Sequence, residues 1–206
     1  DKKYGRLKKY SIPYFIGFLT IVYIVMLITP ELLLIMGGKS YVEAMYVMPP
    51  VMVGYIFQFI YSLYVNIEFY HKKQKNIAFG TAIACIINIA LNYIFIPKFG
   101  YIAAAYTTLI GYITLYIIHF AFVKKLNATS WYNNKLFFYL LCTSILYMCI
   151  CNYMYSISYL RYVIIGVIFI SLLILAINRK KFFKTRIGRK ITTFIQLIKS
   201  NKEKIR

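Results

Sequence analysis

The feature that most constrains this chain is a recurrence. Apolar, nearly uncharged runs of about 20 residues appear six times, separated by short segments carrying Pro, Gly, Lys or Arg. A helix of about 20 residues crosses roughly 30 Å of hydrocarbon. Hydrocarbon satisfies no backbone N–H or C=O group, so a run of this kind must close its own hydrogen bonds as a helix. Only 15% of the 206 residues are charged and the mean hydropathy is +0.66, where soluble domains carry roughly 25% charge. The pattern predicts an all-α, polytopic transmembrane bundle of about six spans. Six such runs also exclude a cleaved leader followed by a soluble domain.

The spans are expected at about 12–36, 46–70, the two runs of 75–112, 136–155 and 162–177. Pro30 is expected to kink the first span, and a PKFG turn at 97–100 to join the third span to the fourth, which extends to about 123. Charge then sets orientation. Of the 25 Lys and Arg, 22 fall on alternate segments beginning with the N-terminus, leaving Lys39, Lys98 and Arg161 on the other turns. An excess of Lys and Arg marks the cytoplasmic side, so both termini are expected there. The net charge of +20 therefore needs no nucleic acid to explain it. The chain reads as a membrane domain over 1–177 and a basic amphipathic tail over 178–206, suited to anionic lipid at the membrane surface. It opens on Asp1 rather than Met, as expected of a piece of a longer protein.

Four residues stand out as site candidates. Gln58 lies near the middle of its span, and Asn88 and Asn92 are four apart on one helix face. Bare amides are costly in lipid. All three are candidates to line a substrate path, and an interhelical hydrogen bond is the alternative reading. Glu68, beside His71, Lys72 and Lys73, reads either as a proton or gating group at an inner mouth or as an interface charge balancing those lysines. His119 reads as an interfacial residue near an inner helix end, with a proton relay as the alternative. Cys85, Cys142, Cys149 and Cys151 sit in apolar runs as structural thiols without metal-ligand spacing. No catalytic constellation, phosphate-cradling loop, metal set or cofactor motif is visible, and the turns on the less basic side are too short to hold an enzyme site.

The joined pattern Asn88-x-x-Leu91-Asn92, Ile96-Pro97-Lys98-x-Gly100 and Ala103–Ala105 resembles the late hairpin of bacterial polysaccharide repeat-unit flippases. These are the O-antigen and capsule (Wzx-type) transporters of the MATE-like multidrug/oligosaccharidyl-lipid/polysaccharide exporter superfamily. Pro49, Glu68, Phe69, Tyr70, Lys72 and Lys73 resemble the same family in the same order. The resemblance covers about 1–125. It implies a plasma-membrane transporter of two bundles working by alternating access, of which this chain resembles the last six spans. The implied cargo is an oligosaccharide on a polyprenyl diphosphate, and the implied partners include other polysaccharide-assembly membrane proteins. A drug or lipid-precursor exporter of the same superfamily is the nearest alternative. A membrane polysaccharide polymerase or acyltransferase is the alternative from another class.

Overall fold

The computed structural model describes residues 2–177, 191 and 193–196. Among them the chain is helical, with no strand. It comprises α1 (Lys2–Leu27), α2 (Thr29–Gly37), a 3-10 segment (Lys39–Tyr46), α3 (Met48–Tyr70), α4 (Gln74–Phe99), α5 (Tyr101–Lys125), a short 3-10 turn (Thr129–Trp131), α6 (Asn134–Ser156) and α7 (Ser158–Ile177). Among the described residues, five stretches are long and apolar enough to cross a membrane: Lys9–Leu27 and all of α3, α4, α5 and α6. The architecture is an all-α polytopic bundle.

The chain divides into two compact units, Asp1–Ile157 and Ser158–Arg206. In the second, the Arg161 guanidinium lies 5.0 Å from the centre of the Tyr162 ring. Apart from residue 191 and 193–196, the amphipathic tail expected over 178–206 lies outside the described residues.

In the first unit α3 is the central helix. Val53, Ile56, Phe57, Ile60, Tyr64 and Ile67 recur every three or four residues and are all buried, which puts them on one face of a 3.6-residue repeat. Neighbouring helices close on α3 with rings. Phe15 of α1 packs 5.3 Å from Phe59 and meets Phe137 of α6 edge-on at 5.1 Å. Phe57 meets Tyr116 of α5 edge-on at 5.6 Å. These pairs, with Tyr64 against Phe120, run α3 and α5 in the same direction. α4 runs antiparallel to both.

Two expectations change. The first span is not one kinked helix over 12–36. α1 ends at Leu27 and α2 starts at Thr29, with Pro30 in the first turn of α2, where a missing N–H costs least. Pro30 still cannot donate to Met26 O, four residues back. The Tyr155 hydroxyl of α6 donates to that carbonyl instead. The second change is in the hairpin. α4 continues through Pro97 to Phe99, and the reversal into α5 is made by Gly100 alone, at φ +68° and ψ −160°. That backbone region is essentially restricted to glycine.

Candidate functional site

The hairpin is closed by a ring of polar bonds. The Thr107 hydroxyl of α5 donates to Asn92 Oδ1. Asn92 Nδ2 donates to Asn88 Oδ1 at 3.0 Å, and Asn88 Nδ2 donates back to Thr107 O at 2.9 Å. The circuit starts and ends on one buried residue. Gly111 makes room for it: a Cβ there would sit 3.3 Å from Asn88 Nδ2. The spacing of four that stacks Asn88 over Asn92 is what lets both reach Thr107. Asn88 also lines an open groove of about 230 Å³ with Thr81, Ala84, Thr108 and Tyr112.

Gln58 lies elsewhere. It lines a separate groove of about 490 Å³ between α1 and α3, walled by Phe18, Ile21, Val22, Val25 and Met52, with Tyr55 and Ser62 as further polar groups. The structure thus brings Asn88 and Asn92 together and sets Gln58 in a different groove.

Glu68 differs most from its expected surroundings. An interface charge would be solvated, yet its side chain is 0% exposed, as is that of His119, and Nδ1 of His119 lies 2.6 Å from Glu68 Oε1. The lysines expected to balance it, Lys72 and Lys73, are exposed. His119 is likewise no interfacial helix-end residue. Its ring meets Tyr61 of α3 edge-on at 4.8 Å and Phe122 at 5.8 Å. On the α4 side it rests on Gly80, where a Cβ would lie 2.8 Å from Nε2. Three helices therefore enclose the pair. Glu68 and His119 each stand out in the sequence, but nothing in it pairs them. The available signal was a histidine in an otherwise uncharged run, near the same end of the bundle.

Backbone caps end both helices that carry the pair. Lys73 N donates to Glu68 O and Lys72 N to Phe69 O, with Lys72 left-handed at φ +55°. Ala128 N donates to Val123 O and Asn127 N to Lys124 O, with Asn127 at φ +53°. Both are Schellman endings, built here without glycine. They stop α3 at Tyr70, just beyond Glu68, and α5 at Lys125, more than a turn beyond His119. Outside the spans, burial pushes the Tyr132 phenol above its ordinary pKa, which keeps it a neutral packing group against Phe137.

Among the described residues no group of three or more His, Cys, Asp or Glu could hold a metal ion. No family model, curated protein or solved structure matches the chain.

Proposed function

We propose that this chain is part of a bacterial plasma-membrane transporter that flips polyprenyl-diphosphate-linked oligosaccharides by alternating access, for O-antigen, capsule or exopolysaccharide synthesis. The observation that carries this reading is the groove between α1 and α3. Gln58 sits near the middle of α3, a helix long and apolar enough to span the membrane. A sugar headgroup crosses hydrocarbon only at high cost, so its path needs polar groups at that depth. The hairpin pattern that resembles the flippases supports the same reading. A second reading, export of drugs or lipid precursors, draws on the apolar walls of the same groove, which suit an amphipathic cargo.

The test is made in a strain deleted for the gene. The flippase reading expects lipid-linked oligosaccharide to accumulate on the cytoplasmic face, and expects the full-length protein to clear it. Gln58→Leu should lower export per folded molecule at unchanged abundance. Restored drug resistance with no change in glycan export would replace this reading with the second one.

A further inference from the structure

We propose that Glu68 and His119 form a proton-binding site that latches α3 to the α4–α5 hairpin, and that uptake of a proton from water opens it. The inference stands on the pair's geometry and holds whatever the cargo is.

Both side chains are fully buried, 2.6 Å apart, and each keeps one buried polar atom without a hydrogen-bond partner: Oε2 of Glu68 and Nε2 of His119. Glu68 comes from α3 and His119 from α5, and Gly80 of α4 admits the imidazole because it has no Cβ. The titratable group packed against the pair from α3 is Tyr61. α4 offers Gly80, and α5 offers Ile118 and Phe122. The cations at this end, Lys72, Lys73, Lys75, Lys124, Lys125 and Lys135, are exposed.

With one proton shared between Nδ1 of His119 and Oε1 of Glu68, the pair is neutral overall. A further proton lands on the orphan Oε2 of Glu68. It removes the carboxylate charge and leaves the imidazolium buried without a counter-charge, and an uncompensated buried charge is strongly destabilising. The imidazolium regains solvation only if water enters between α3 and α5. Acidification therefore separates the two helices at their basic end.

The test is a distance measurement on the full chain in lipid nanodiscs. Spin labels go on Lys73→Cys and Lys125→Cys, both exposed sites. The exposed Cys85, Cys142 and Cys149 are changed to Ser, and His71→Gln leaves His119 as the sole histidine of the two in the chain. On lowering the pH from about 6 to about 4, towards the range in which a solvated carboxylate takes up a proton, a second, longer distance should appear reversibly. The double change Glu68→Gln with His119→Gln keeps two hydrogen-bonding amides but no group that changes charge, and should give the short distance at every pH. A pH-independent distance in the unsubstituted pair overturns the proposal, as does a pH response that survives the double change. Neither readout involves cargo, so failure here leaves the transport reading standing, and loss of export leaves this result standing.

Discussion

At the scale of single residues, this bundle is held by partners for groups that helix geometry leaves bare. Pro30 deprives Met26 O of its helical donor, and Tyr155 supplies a hydroxyl from α6. In a membrane protein such a carbonyl has no water to turn to, and a neighbouring helix is a usual replacement. Tyr155 is buried, so Tyr155→Phe should strand the acceptor and cost about 1–3 kcal/mol. Thermal unfolding in detergent should show a lowered midpoint, while Tyr153→Phe, at an exposed ring, should show none. Pro30 was plain in the sequence, but Tyr155 was one of 22 tyrosines, and nothing local distinguishes a tyrosine that caps a carbonyl from one that faces lipid. Asn88 and Asn92 were legible because their spacing is set within one helix. Thr107 was not legible as their partner, because that depends on how α5 lies against α4. The Glu68–His119 pair joins residues 51 apart in sequence and needed the parallel packing of α3 and α5 to be visible.

At the scale of elements, apolar run length pointed to five spans that the structure contains, because the same quantity decides both burial in lipid and helix length. Ends were less legible. Proline was read as a break at 97, but a proline in the last turn of α4 removes one donor and leaves the helix to run on to Phe99. Glycine makes the reversal, for a reason that is conformational and not steric. A Cβ at Gly100 would meet nothing within 4 Å, yet its φ of +68° and ψ of −160° strain any other residue. Gly100→Ala should therefore destabilise the hairpin by about 1–3 kcal/mol, without any clash. Gly17→Ala is the control: its Cβ also meets nothing within 4 Å, and it sits inside α1, where alanine is the better helix former. Parallel thermal melts should separate the two, and equal stability would remove the conformational account of the turn.

At the scale of the whole molecule, charge and topology make one testable statement. The α3–α4 turn carries Lys72 and Lys73, and α5 ends at Lys124 and Lys125. The parallel run of α3 and α5 puts these ends on the same side. Lys98, in the last turn of α4, lies at the opposite end of the hairpin. An excess of Lys and Arg marks the cytoplasmic face, so single cysteines at 73 and 125 should react only after the membrane is opened. Cysteines at 39 and 98 should react with an impermeant maleimide on intact cells. The hairpin makes the experiment strict, because α4 is 26 residues long, which at 1.5 Å per residue is about 39 Å and longer than the hydrocarbon core. A helix of that length cannot place residues 73 and 98 on one face of the membrane while lying across it. Labelling of 73 and 98 from the same side would mean that α4 lies along the surface. That result would remove the transmembrane hairpin, and with it the setting in which the Asn88–Asn92–Thr107 ring is shielded from water.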